Sequence, residues 1–309
     1  MKSPILLILL IFSLFGFHQV LLAQPYRLDV RIVNQPEEYI RLESVSGDNF
    51  TLLDSAQATK GEVHFELPND AHTGIYRLIF GKTGYARVMN EDPQMLDFIF
   101  NKENIQLKTD FKDPVQSVEV IQSKENDVYF DFLIRLKEYQ SELGLMEQEV
   151  DSYWAKGDSA KAMEASNEFN RVQLDWDLRA AQIIQQNHTL FASKLIEWKR
   201  TPLRDAFLSP EERKETYRKE FLQNVNFSDE SLIYSTAYTD KIFEFLTLFN
   251  EAGLNRQQRT QAYIDAVDMI FAKLGQNEKV DQFLIGYLDH GFHVLGMKEV
   301  IDHIKETTN

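Results

Sequence analysis

Asp289, His290 and His293 lie close together, with His303 a few turns further on, and imidazoles beside a carboxylate are donors that a zinc ion accepts. Gly291 and Gly296 interrupt the stretch, however. They place the histidines at a helix end, where imidazoles meet the last carbonyls, and the reading is structural. Gly81-Lys82-Thr83 has the ending of a phosphate-binding loop, but the glycine such a loop carries five positions before Gly81 would fall at Tyr76. A hairpin turn leading into another strand is the better reading there. Trp154, Trp176 and Trp198 recur at near-helical spacing among other aromatics, a stripe found more often in a bundle core than on a sugar-stacking platform. The acids are dispersed among lysines, as in Glu211-Glu212-Arg213-Lys214-Glu215, which is the pattern of a solvated helix face. No pair stands out as a general acid and base, and neither a nucleophile elbow nor a metalloprotease helix occurs. No catalytic, cofactor-binding or metal-ligating residue is assigned, and the chain is expected not to be an enzyme.

Composition narrows the classes further. The 309 residues include no cysteine, so disulfides, thiolate nucleophiles, redox-active dithiols and thiolate metal sites are all excluded. A net charge of −15 repels phosphate backbones, and nucleic acid is not an expected partner. With 43% apolar residues the chain can bury ordinary cores, which a disordered one cannot.

Lys2, the apolar run 5–17 and Ala23 before Gln24-Pro25 are built like a secretory signal peptide. Residues 1–23 are read as that signal, so the mature chain begins at Gln24, is periplasmic or otherwise exported, and keeps no stable membrane span. The alternative is a retained anchor, against which His18 and Gln19 count.

From residue 24 to residue 122 the hydrophobic period is that of short strands. Runs at 28–33, 39–42, 75–80, 96–100, 105–107 and 115–121 are separated by Gly, Pro, Asn and Asp turns. Between them, residues 52–67 converge on Lys60-Gly61, and Val63, Phe65 and Leu67 alternate with polar neighbours, predicting a hairpin with one buried face. Seven or more such strands suggest an antiparallel β-sandwich. The period then becomes helical. Two long amphipathic segments carry Phe132, Leu136, Leu143 and Val150, then Phe169, Val172, Trp176 and Ala180, with Gly157-Asp158-Ser159 as the break that lets them fold back on each other. Ser209-Pro210-Glu211-Glu212 has the cap, proline and acids of a helix start, Ser228-Asp229-Glu230 is another cap, and further helices are expected at 256–274, 278–290 and 298–305. The fold class is α+β, a β-sandwich over 24–122 followed by an all-α bundle over 123–309.

The motifs Asp54-Ser55-Ala56, Gly61-Glu62-Val63-His64-Phe65, Tyr76-Arg77-Leu78 and Ile105-Gln106-Leu107 resemble the N-terminal β domain of exported thioredoxin-like proteins of Bacteroidetes-type bacteria, the thiol-disulfide oxidoreductase and peroxiredoxin-like group. Ile183-Ile184-Gln185-Gln186-Asn187-His188-Thr189-Leu190-Phe191-Ala192, Tyr217-Arg218-Lys219-Glu220-Phe221, Asn226-Phe227-Ser228-Asp229 and Gly296-Met297-Lys298-Glu299-Val300 resemble the helical domain that follows in that family. A thioredoxin domain with a Cys-x-x-Cys site comes next there, and since this sequence has no cysteine the activity transfers to no residue of it. The resemblance implies a non-catalytic binding or scaffold protein of the cell envelope. The alternative is a detached front half of an oxidoreductase whose catalytic domain is another chain, with a thioredoxin-like envelope protein as partner. If the end of the bundle keeps a docking surface for a partner, apolar residues among Phe283, Leu284, Tyr287, Leu288, Phe292, Val294 and Leu295 would form an exposed patch; otherwise they are core.

Overall fold

Alternation of apolar and polar residues builds two four-stranded sheets in the computed structural model, which describes residues 25–35 and 39–308. Residues 1–23, read as a signal peptide, lie outside the described residues. The strands are β1 (Tyr26–Val33), β2 (Tyr39–Ser46), β3 (Asn49–Gln57), β4 (Glu62–Leu67), β5 (Gly74–Gly81), β6 (Gln94–Phe100), β7 (Ile105–Asp110) and β8 (Glu119–Gln122). One sheet runs β4-β1-β7-β8 and the other β3-β2-β5-β6. All pairs are antiparallel except β1 with β7. Leu28, Val30 and Ile32 on β1, Val63, Phe65 and Leu67 on β4, and Tyr76, Leu78 and Phe80 on β5 fill the space between the sheets.

Three local expectations change. The turn at Lys60-Gly61 is present, with both residues in the left-handed region (φ 54° and 79°) and Thr59 and Glu62 exchanging both backbone hydrogen bonds. Beyond it the strands part. β3 pairs with β2 and β4 with β1, so residues 52–67 turn a corner between sheets, and only the β4 side has a buried face. Gly61 is required where the corner presses on β1, because a Cβ would stand 2.5 Å from the Ile32 carbonyl oxygen. Gly81-Lys82-Thr83 leads into a six-residue helix, α1 (Gly84–Met89), rather than a strand. The Thr83 hydroxyl caps it by accepting from the Ala86 N–H at 3.0 Å. The run expected at 115–121 is strand only from Glu119, since Thr109 and Ser117 close the preceding residues into turns.

The helical region begins one residue after β8. Its elements are α2 (Lys124–Lys156), α3 (Ser159–Gln186), α4 (Phe191–Lys199), α5 (Pro210–Glu220), a 3₁₀ turn (Glu230–Tyr234), α6 (Ala237–Thr247), α7 (Arg256–Phe271), α8 (Glu278–Val294) and α9 (Lys298–Thr308). Gly157 ends α2 in the left-handed region at φ 71°, and the Asp158 carboxylate caps α3, so the two longest helices form the expected hairpin. Ser209 and Glu212 close a reciprocal capping box at the start of α5. Among the described residues no helix is long and apolar enough to cross a membrane.

The sheet β3-β2-β5-β6 has apolar residues on both faces, and this joins the two regions. Val45, Ile75 and Ile99 point away from the sandwich into the helical core, while Phe130 of α2 reaches back into the sandwich core. Asn126 seals the β6 edge. Its side chain accepts from the Ile99 N–H and donates to the Ile99 carbonyl, both at 2.7 Å, as a neighbouring strand would.

Candidate functional site

A cleft of about 780 Å³ opens between α2, α3, α5, α6 and the irregular segment 200–208 that joins α4 to α5. Its size is that of a small-molecule site. The segment is held to α3 by four side chains at Ser166, Asn170, Gln173 and Asp177, which are spaced to share one helix face. Gln173 accepts from the Arg204 N–H and donates to the Arg204 carbonyl, at 2.9 and 2.8 Å. Asn170 accepts from the Ala206 N–H, the buried Ser166 hydroxyl donates to the Ala206 carbonyl, and Asp177 accepts twice from Arg200. A strap whose backbone is bonded to side chains in this way makes a fixed wall.

Aromatic residues supply much of the remaining lining. Trp176 stacks on Tyr139 with 4.7 Å between centroids and 9° between planes, and Trp198 stands edge-on to Tyr238 at 4.7 Å. Trp176, Trp198, Tyr139 and Tyr217 all reach the cleft. Burial pushes the Tyr139 and Tyr217 phenols up to about 12, so both stay neutral hydrogen-bonding groups at physiological pH.

The charges of the cleft are largely matched. Arg213, 4% exposed, reaches Glu147 and Asp151 at 3.1 Å each, and Arg204 donates to Glu147 as well. Arg200 holds Asp177, Lys199 lies 3.3 Å from Asp240, and the Lys241 ammonium donates to the Arg200 carbonyl at 2.9 Å. Glu244 is different. Its carboxylate accepts no hydrogen bond from any described residue, although it is open to the water of the cleft. Desolvation by the surrounding walls raises its pKa above the ordinary 4.5, against the pull of Lys241 and Lys199. The Lys241 ammonium is lowered by its burial, against the attraction of Glu244.

This desolvation gives a signed prediction. A carboxyl whose pKa is raised in the folded state favours folding below its unfolded value and loses that contribution as pH rises through the folded one. Glu244→Gln should therefore raise the urea midpoint at pH 7, with the gain shrinking to nothing below the ordinary value of 4.5. The same offset at both pH values would contradict the assignment.

Compared with known proteins, the chain matches no family model and no curated protein.

The histidines weighed from sequence fall elsewhere, whereas Arg213, read there as part of a solvated helix face, is buried at the cleft on Glu147 and Asp151. His293 lies near the end of α8, with its Nδ1 2.7 Å from the Asp289 carbonyl, but the helix runs through Gly291 rather than ending before it. His303 is drawn to Asp268 of α7 at 2.6 Å, and His290 is exposed. Among the described residues no group of three or more such side chains could hold a metal ion. Trp176 and Trp198 pack on the core and also line the cleft, whereas Trp154 lies outside it. Leu284, Leu288 and Phe292 are core, and Phe283 and Tyr287 are packed against it. Only Val294 and Leu295 of the seven apolar residues stand well exposed, so most of that stretch forms no surface patch. The polar stripe Ser166, Asn170, Gln173, Asp177 was the signal available in sequence for the cleft wall.

Proposed function

We propose that the protein is a non-catalytic binding protein of the cell envelope and that the cleft of the helical region receives its ligand. The observation supporting this is a cleft with braced walls. Its strap is bonded to α3 along its length, and its arginines are committed to carboxylates. Such a site is preformed for binding. Of the described acids lining the cleft, Glu147, Asp151, Asp177 and Asp240 are each tied to a cation and Glu244 alone is not, so the cleft holds no second free carboxylate to pair with it in acid–base work. The assignment to the envelope follows from the apolar leader and the thioredoxin-family resemblance of the β and helical regions.

Gly144 of α2 offers a direct test. It lines the cleft, and a Cβ added there would meet nothing within 4 Å. Gly144→Trp should fill the cleft while leaving stability unchanged or raised by about 0.5–1 kcal/mol, since glycine weakens a helix interior. Wild-type and variant protein would be equilibrated with envelope extract, washed and denatured, and the released compounds identified by mass spectrometry. Wild type should release a compound that folded Gly144→Trp does not. Identical profiles would remove the cleft as the binding site.

A further inference from the structure

We infer that the cleft takes a neutral carbohydrate, a short run of sugar rings lying on its aromatic wall with hydroxyls on Glu244. The inference rests on the cleft being the binding site and names the class of its ligand. Elimination by charge comes first. An anionic ligand would compete for Arg200, Arg204 and Arg213, each already on a carboxylate that displacement would leave enclosed without a partner, or for Lys241, which is 4% exposed, donates to the Arg200 carbonyl and sits in the field of Glu244, whose charge opposes a second anion beside it. A cationic ligand finds one uncommitted acid, Glu244, but the fields of Lys199 and Lys241 both act on that carboxylate and oppose a further positive charge beside it. A purely apolar ligand would strip water from Glu244 and the ion pairs and offer no hydrogen bond in return. What remains is a neutral molecule with many hydroxyls.

The shape of the lining favours the same class. Trp176, Trp198, Tyr139 and Tyr217 line the cleft with apolar ring surface, Trp176 and Tyr139 stacked on each other, and a pyranose presents C–H groups to such a wall with hydroxyls around its rim. Glu244 supplies two acceptor oxygens that take no hydrogen bond from the described protein, suited to adjacent hydroxyls on one ring. A volume of about 780 Å³ accommodates more than one ring.

The test is isothermal titration, with tryptophan fluorescence as a second readout, using cellotriose, maltotriose and tri-N-acetylchitotriose as neutral probes. Trigalacturonate and the glucosamine trimer serve as anionic and cationic counterparts. At least one neutral trisaccharide should saturate with Kd at or below about 1 mM, shift the tryptophan emission, and bind at least tenfold more weakly to Glu244→Ala and not at all to Gly144→Trp. Glu211→Ala, on the solvated face of α5, should bind like wild type. If no neutral trisaccharide saturates by about 10 mM, the inference is overturned. It is also overturned if one binds with equal affinity to Glu244→Ala and Gly144→Trp. A charged probe that binds wild type and not Gly144→Trp, while the neutral probes fail, would overturn the carbohydrate assignment and leave the cleft as the binding site. Failure of every probe, together with identical release profiles from wild type and Gly144→Trp, would overturn both.

Discussion

Glu125→Ala is expected to lower stability by about 3–5 kcal/mol, the largest loss from any single truncation considered for this protein. Glu125 sits in the first turn of α2 and is 2% exposed. One carboxylate oxygen accepts from the Asn101 side chain at 2.6 Å and from the Phe191 N–H at 3.0 Å, and the other accepts from the Ala192 N–H at 2.8 Å. The last two are the opening amides of α4, whose own N-cap residue, Leu190, has no side chain able to accept them. Glu125 therefore caps a second helix from a distance and ties the β6–β7 loop to it, with its charge facing the positive end of the α4 dipole. Truncation strands the two buried amides of Phe191 and Ala192 at about 1–3 kcal/mol each, partly relieved by entering water, and frees the half-buried Asn101 amide. Glu125→Gln should recover only part of the loss, because its amide oxygen can keep the bonds from Asn101 and Phe191 while its NH₂ faces the Ala192 N–H and the charge is gone. Urea unfolding gives the total, and hydrogen exchange at Phe191 and Ala192 should accelerate more than at amides in the middle of α3. A loss below about 1 kcal/mol would mean that solvent replaces the cap at little cost.

Gly74→Ala is expected to cost about 2–3 kcal/mol although it adds one methyl group. Gly74 opens β5 against the 3₁₀ turn, and a Cβ there would stand 2.3 Å from the Tyr234 carbonyl oxygen and 2.7 Å from the Tyr234 Cβ. A backbone oxygen cannot move aside as a flexible side-chain end can. Neighbouring contacts hold the turn in place: His72 stacks on Tyr234 at 4.1 Å, and the Gly47 N–H donates to the Ser235 carbonyl at 3.0 Å. Phe283 lies over Gly47 so closely that a Cβ there would be 2.7 Å from its ring. Phe283 is thus part of the seam between the sheet and the helices. Gly84→Ala is the control, since a Cβ there meets nothing within 4 Å and should change the midpoint little. Equal midpoints for the two variants would show that the seam yields freely.

The features legible in sequence were those set by residues close together along the chain. The change of period near residue 122 marked where strand gives way to helix, because alternation suits one face of a sheet and three-to-four spacing one face of a helix. Gly157-Asp158, Ser209 with Glu212, and Lys60-Gly61 act on backbone groups within a few positions, and each forms the cap or turn its residue types dictate. The absence of cysteine excluded thiol chemistry without reference to any fold.

Tertiary structure decided which faces meet. The β3 and β4 runs carry strand patterns that would serve equally in a shared hairpin or in separate sheets, and long-range packing put them in separate sheets. Glu125 looks like any acid in a first helical turn until α4 is brought, uncapped, against it. The stripe at Ser166, Asn170, Gln173 and Asp177 looks like a solvated face until a strap is laid along it, and Trp176 and Trp198 look like core until a cleft opens beside them. Local hydrogen bonds are written in neighbouring residues. A cleft is the space left when distant apolar faces close, so its position and its unpartnered carboxylate at Glu244 exist only once those faces are in contact.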